Sequence, residues 1–141
     1  MSAAVQSIDR TTGHIPDLPR PIQRGAAAVE NTLRGLLAQH DLPLYNLMEY
    51  QLGWRDEQGV PLDRPAERDR LSPALCLAAC QAVGGSTEKA LPSATALELV
   101  DSFFQVHADV QDGIQERYGR PTGWWVWGPG QAINVGDAFH A

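Results

Sequence analysis

The sequence has no long apolar run; its hydrophobic stretches fall far short of the about 20 residues that a helix needs to cross a bilayer, so no membrane span is expected. It also lacks a surplus of positive charge. Eleven Lys and Arg face 17 Asp and Glu, for a net charge of -6 and a pI near 5.0, and no basic stripe appears anywhere. A nucleic-acid partner is therefore not expected. The N-terminus shows no basic region followed by an apolar block, from which a cytoplasmic location is expected. Cysteine is scarce: Cys76 and Cys80 stand four apart in "PALCLAACQAV", on one face of a predicted helix. No histidine or further cysteine stands near them in sequence to complete four metal ligands, and they read as reduced core thiols. Strand alternation, hairpin signals and internal repeats are all missing.

What the sequence does have is helical periodicity. At 141 residues it is long enough for one domain with a substantial core. Residues 1–20 are polar and end among Pro16, Pro19 and Pro21, which predicts a flexible N-terminal arm ahead of a helical domain over 21–141. From Pro21, the residues Ile22, Ala26, Val29, Leu33, Leu36 and Leu37 mark one side of a first helix ending near His40. Pro43 opens a second helix with Leu44, Leu47, Met48 and Leu52 on one face, stopping at Gly53. Residues 53–71, dense in charge and broken by Gly59, Pro61 and Pro65, read as a loop. Ser72 is the expected cap of a third helix, with Pro73 at its first position and Gly84 and Gly85 at its end. Ser86 opens the fourth and longest helix, which tolerates Pro92 and ends at Gly113. On it Leu97, Val100, Phe104 and His107 share a face expected to be core, while Asp101, Asp109 and Asp112 follow another track. The aromatic stretch "WWVWGPG" is expected to pack against the bundle, and a last helical segment follows.

The chemistry concentrates in "VHADVQDGIQERYGRPT", residues 106–122. Asp109 and Asp112 lie three apart at the end of the long helix, and so project side by side. Magnesium takes hard oxygen ligands, commonly one or two carboxylates with substrate phosphates and water, and the negative end of a helix favours a cation. Arg117, just beyond Gly113, can turn back onto a phosphate. The pair by itself suits either a magnesium and diphosphate site or a solvated helix end.

The wider context selects between them. "ALPSATALELVDSFFQVHADVQDGIQERYGRPTGWWVWGPGQAINVGDAFHA" resembles the trans-type isoprenyl diphosphate synthases, the polyprenyl synthetase family, with its A-x-A-x-E-L run, (I/V)-H-D-D-x-x-D motif, R-R-x-x-P-T-like segment and A-I-N-x-G-D-A. "RLSPALCLAACQAVGG" likewise resembles the stretch after G-K-x-x-R-P, so that the similarity extends over residues 67–141. The resemblance implies an all-α fold, a helix bundle of the isoprenoid synthase type around a deep cavity, of which this chain corresponds to the N-terminal half. It stops before the second aspartate-rich motif. The function implied is isoprenoid biosynthesis: magnesium ions help ionise an allylic diphosphate, and isopentenyl diphosphate attacks the cation. Carried across residue by residue, the first aspartate motif falls on Ala108, Asp109 and Asp112. Asp109 and Asp112 are thus the expected catalytic and Mg2+-binding residues, with the leading carboxylate missing. Arg117 is expected on the allylic prenyl diphosphate, and Phe104, beside Phe103, at the hydrophobic wall that limits chain length.

Four positions depart from the pattern that would hold isopentenyl diphosphate: Asp69 and Ser72 replace a lysine and an arginine, Asp101 replaces a histidine, and Tyr118 replaces an arginine. Of the charged loop from Arg64 to Arg70, Arg70 alone keeps a positive family position. Ordinary elongation is therefore not expected, since acids in place of cations repel a diphosphate. Four outcomes stay open from the sequence: a divergent prenyltransferase that binds an allylic diphosphate, a non-catalytic partner that docks on a complete prenyl synthase, a cyclase-like relative that ionises an allylic diphosphate without isopentenyl diphosphate, and a gene remnant without function; a homo-oligomer, or a hetero-oligomer with another prenyl synthase subunit, is expected.

Overall fold

The computed structural model describes residues 19–66, 68 and 70–141. Most of the expected N-terminal arm (residues 1–18) and the substituted position Asp69 lie outside the described residues. The chain is built of α1 (Arg20–Leu37), α2 (Pro43–Gln51), α3 (Leu71–Ala82), α4 (Thr87–Asp112), β1 (Glu116–Arg117), β2 (Arg120–Pro121), α5 (Gly123–Trp127) and α6 (Pro129–His140). Among the described residues it is an all-α fold, as the periodicity anticipates, with one short hairpin, which the periodicity does not anticipate.

The long helix α4 is the centre of the bundle, packed on α1, α3 and α6, while α1 also lies against α3. In α1, Gly25, Val29, Leu33 and Leu37 recur every four residues and form the buried stripe. Leu36, expected on that stripe, is exposed. Glycine at 25 lets two helices approach closely: a Cβ there would lie 3.3 Å from the Cα of Ala74 on α3. Helix α2 buries Met48 and, just past its end, Leu52. Residues 53–66 are a loop, as expected, and one that joins the core. Trp54 is buried under the Arg34 guanidinium, 4.2 Å from its ring centroid, and Asp56 Oδ1 accepts from the N–H groups of Gln58 and Val60 to close a tight turn.

Helix α3 begins two residues earlier than its sequence suggests. Ser72 does not cap it; the N-cap is Arg70, in a left-handed conformation at φ 40°, with no side-chain cap bond. The physical reason is tertiary: the Arg70 guanidinium is pinned by Glu30 of α1 and Glu98 of α4, and the backbone starts the helix from that anchor. At α4 the cap signals hold. Ser86 Oγ accepts from the Lys89 N–H at 3.4 Å, and Gly113 ends the helix at φ 67°.

The buried face of α4 is a correction. Leu97, Val100 and Phe104, expected in the core, are 41%, 37% and 62% exposed, and His107 is only partly covered. The helix instead buries Ala94, Thr95, Glu98, Ser102, Val106 and Asp109. Small and polar residues face the neighbours because α3 and α6 approach closely there, and because Glu98 and Asp109 find arginine partners. Among the described residues no element covers the apolar stripe.

The segment after α4, where the sequence carries no hairpin signal, is a hairpin, with Glu116 opposite Pro121 and Arg117 opposite Arg120. Its two turn residues, Tyr118 and Gly119, have φ 54° and 68°. Positive φ at both centres is the primed turn that matches strand twist, normally signalled by Asn-Gly or Asp-Gly; tyrosine in the first place hides it. "WWVW" forms the short α5. Trp124 donates to the Ile114 carbonyl at 2.6 Å and Trp127 meets Tyr50 edge-on, whereas Trp125 is 54% exposed. The expected packing role therefore holds for two of the three tryptophans.

Candidate functional site

The end of α4 and the hairpin meet at Asp109. Its position on the inner side of the helix buries it to 2% exposure, and the hairpin returns Arg117 onto it. Arg117 donates from Nε at 2.8 Å and from a terminal nitrogen at 2.5 Å, both to Asp109 Oδ1. Burial raises the Asp109 pKa above the ordinary 3.8 of an aspartate; the Arg117 hydrogen bonds and charge, and then the Arg68 charge, oppose that rise, and Asp112 adds to it. Asp112 itself is exposed. The two aspartates thus stand in different environments, one in the protein and one in water.

The space around Asp109 is a crevice of only about 30 Å³, closed by Arg117, Tyr118, Arg68 and Gln105. The other cations nearby are committed. Arg120 donates to the carbonyls of Tyr50 at 3.1 Å and Arg55 at 2.5 Å, with its guanidinium 4.2 Å from the centroid of the Tyr50 ring. Tyr50, packed in turn through its hydroxyl on the Pro121 carbonyl at 2.6 Å, has its pKa raised by burial.

A second, larger cavity of about 350 Å³ opens beside the first, between the start of α3, the middle of α4 and the hairpin. Ser72, Asp101 and Tyr118, three of the four substituted positions, line it together. Its cations are Arg68 and Arg70. Arg70 is bound by Glu30 and Glu98, and both Arg70 and Glu98 side chains are 4% exposed. Arg68 donates to the Gln51 carbonyl at 2.5 Å and to Gln105 Oε1 at 3.2 Å, stands 3.7 Å from Glu98 and lies over the Tyr118 ring. Burial pulls the Arg68 pKa down and pushes that of Glu98 up, with each partner's charge opposing the shift. The retained arginine of the sequence motif is consequently a structural ion-pair member.

Sequence reasoning missed Arg68. No local signal marks it, because its partners Gln51 and Gln105 are 17 and 37 positions away.

Phe104 is not part of either cavity. It belongs to an outer stripe of α4 on which Phe104, Ala108 and Asp112 follow at single-turn spacing, about 12 Å from first to last. The structure therefore brings Asp109 and Arg117 together inside, and sets Phe104 and Asp112 together outside.

The polyprenyl synthetase family model matches residues 67–141. The chain belongs to the polyprenyl synthetase family. A (2E,6E)-farnesyl diphosphate synthase of Mycobacterium tuberculosis is 37% identical over 108 residues, which cover 77% of this chain and 30% of that protein. A geranylgeranyl diphosphate synthase of the same species is 43% identical over 100 residues, 70% of this chain and 28% of its own. Among solved structures, a polyprenyl synthetase from Streptomyces coelicolor A3(2) superposes with a TM-score of 0.77 at 36% identity, over 87% of this chain and 36% of that one. This polyprenyl synthetase chain thus spans about a third of the length of those relatives, and its fold is the corresponding part of their helical architecture. Among the described residues no helix is long and apolar enough to cross a membrane.

The donor set for magnesium can be weighed on this geometry. Among the described residues no three His, Cys, Asp or Glu side chains gather into a metal cage. Asp109 and Asp112, one turn apart, supply the two carboxylates that magnesium commonly takes alongside substrate oxygens and water. Here, however, Asp109 is buried on Arg117 while Asp112 is exposed, so the two could share an ion only after Arg117 gives up Asp109.

Proposed function

We propose that this chain binds an allylic prenyl diphosphate, with the diphosphate at the Asp109, Asp112 and Arg117 end of α4 and the hydrocarbon tail along the Phe104 face. The observation that carries this reading is the outer stripe of α4: exposed Leu97, Val100 and Phe104 lead directly to exposed Asp112, with Arg117 at the same end. An apolar track that ends at carboxylates and a guanidinium suits an amphiphile with a long apolar tail and a polyanionic head. Asp109 and Asp112 would hold Mg2+. Bound there, the ion would neutralise charge developing on a departing diphosphate. Arg117 would donate to the phosphate oxygens, and Phe104 would shield the tail from water.

Elongation with isopentenyl diphosphate is disfavoured. Ser72, Asp101 and Tyr118 share the second cavity, and Arg70 there is spent on two glutamates. The reading is therefore of a family member that retains the allylic half of the site, either to bind the substrate or to ionise it in the manner of a cyclase.

Titration of the chain with farnesyl diphosphate, followed by tryptophan fluorescence with and without magnesium, tests this. Trp124, bonded to the Ile114 carbonyl next to the helix end, is the natural reporter. Saturable, magnesium-dependent quenching that Asp112→Ala weakens by at least about tenfold is the expected result. No response from folded chain would refute it.

The same uncovered stripe favours a second reading, in which the face of Leu97, Val100 and Phe104 docks on a complete prenyl synthase subunit and the chain has no catalytic part of its own. That reading expects a stable hetero-oligomer broken by Phe104→Glu, and no prenyl diphosphate binding by the chain alone.

A further inference from the structure

A third cavity, of about 320 Å³, lies between the first turns of α1, the later turns of α3 and the start of α4. Glu88 on its α4 side stands about 30 Å along the helix from Asp109, so the cavity is remote from the diphosphate end. Gly25 and Ala28 of α1, Leu77 of α3 and Leu91 of α4 wall it. Two of these four are the smallest residues available, and the space that a larger pair would fill is left open. Voids larger than a water molecule are few in a packed protein, and an unfilled hollow lowers stability. Its volume is at the lower end of the roughly 300 to 1,000 Å³ of ligand pockets.

The mouth of this hollow carries one charge of each sign. Arg24 stands one turn before Ala28 and Glu88 one turn before Leu91, so each charge sits beside an apolar wall residue. Both are exposed, and among the described residues neither has an ion pair or a hydrogen bond, to the other or to any third group. Arg34, further along the same helix, is by contrast bonded to Glu30. A head group of one sign satisfies only half of such a mouth: a carboxylate meets Arg24 and is repelled by Glu88, while an ammonium meets Glu88 and is repelled by Arg24. A head that carries both signs satisfies both. Behind it, the walls call for an apolar body of modest size. A free α-amino acid with a large apolar side chain combines the two features.

We infer that the cavity between α1, α3 and the start of α4 binds an apolar α-amino acid, with its carboxylate on Arg24, its ammonium on Glu88 and its side chain against Ala28, Leu77 and Leu91. The inference is independent of the prenyl diphosphate reading, because this cavity shares no residue with the crevice at Asp109 or with the cavity beside it. Exposed ion pairs contribute little to affinity, so the apolar walls supply most of the binding and the two charges supply the selectivity.

Calorimetric titration of the full chain with L-phenylalanine tests the assignment, alongside N-acetyl-L-phenylalanine, which lacks the ammonium, and L-phenylalaninamide, which lacks the carboxylate. Wild type is expected to bind L-phenylalanine saturably, and each single-charge probe at least about threefold more weakly. Changing the mouth should change the preference: Arg24→Gln favours the amide over the amino acid, and Glu88→Gln favours the acetylated acid. Both replaced side chains are exposed and unpaired, so these variants keep the test alive should a wall variant fail to fold. Ala28→Phe, which fills the hollow, is expected to abolish binding of all three probes. Absence of saturable L-phenylalanine binding by wild type overturns the inference. Equal affinity for the three probes overturns it as well, since the cavity would then take apolar bodies without reading their charge. So does unchanged binding by folded Ala28→Phe, because the amino acid would then sit elsewhere on the chain.

Discussion

Glu98 and Arg70 show how far a single residue's role depends on what surrounds it. Both side chains are 4% exposed, Arg70 bonds Glu98 directly, and Arg68 stands 3.7 Å from the same carboxylate. Removing one partner of a buried pair leaves an uncompensated charge, so Arg70→Met is expected to cost about 3 to 5 kcal/mol by urea denaturation. Adding Glu98→Gln should recover much of that loss, because the orphaned charge disappears with it. The same glutamate sets a pH dependence. Burial holds its folded pKa above the ordinary 4.5, the arginine charges opposing. The folded chain then binds that proton more tightly than the unfolded chain, and the stability this contributes, fully present below 4.5, is lost as pH rises through the folded value. Denaturation midpoints across the acid range should show Glu98→Gln gaining on wild type as pH rises from about 4.5 and levelling off above the folded value. A constant difference at every pH would contradict the shift.

At the scale of elements, helix existence was readable and helix detail was not. Proline at the first turn of α1 and α2, serine before α4 and glycine after it are local signals with local causes, and each end falls where those signals put it. The start of α3 does not, because Arg70 is held by residues 40 and 28 positions away. The hairpin was hidden by Tyr118, whose φ of 54° is carried by contact rather than preference: its hydroxyl accepts from Gln105 and its ring lies under Arg68. Packing between α4 and α6 was equally invisible. An added Cβ at Gly136 would come within 2.2 Å of the His107 ring, whose Nδ1 is engaged with the Phe103 carbonyl and which faces Asp137. Gly136→Ala should therefore lower stability by about 1 to 3 kcal/mol, read as a fall in melting temperature. His107→Ala in the same chain should restore part of it by vacating the space.

For the molecule as a whole, the uncovered stripe of α4 governs behaviour. Leu97, Val100 and Phe104 add to an exposed surface that also includes Ile133 on α6 and Val83 after α3. Contiguous apolar patches on soluble chains mark binding surfaces or sites of association. Light scattering is expected to show concentration-dependent association of the free chain. Leu97→Glu with Phe104→Glu should reduce it without lowering the melting temperature, since neither side chain belongs to the buried core. If both readings of that face are wrong, the double variant will behave like wild type in scattering and in farnesyl diphosphate binding alike.

The sequence by itself determined the all-α class, the main helices, family membership and the acidic end of α4, because cap chemistry, apolar period and motif spacing are local and survive without a partner element. Which face of α4 is buried, which arginines remain available, and that Asp109 and Arg117 hold each other were decided by tertiary structure. Those outcomes depend on side chains many positions apart competing for the same few oxygen atoms. No period or spacing along the chain records the result of that competition.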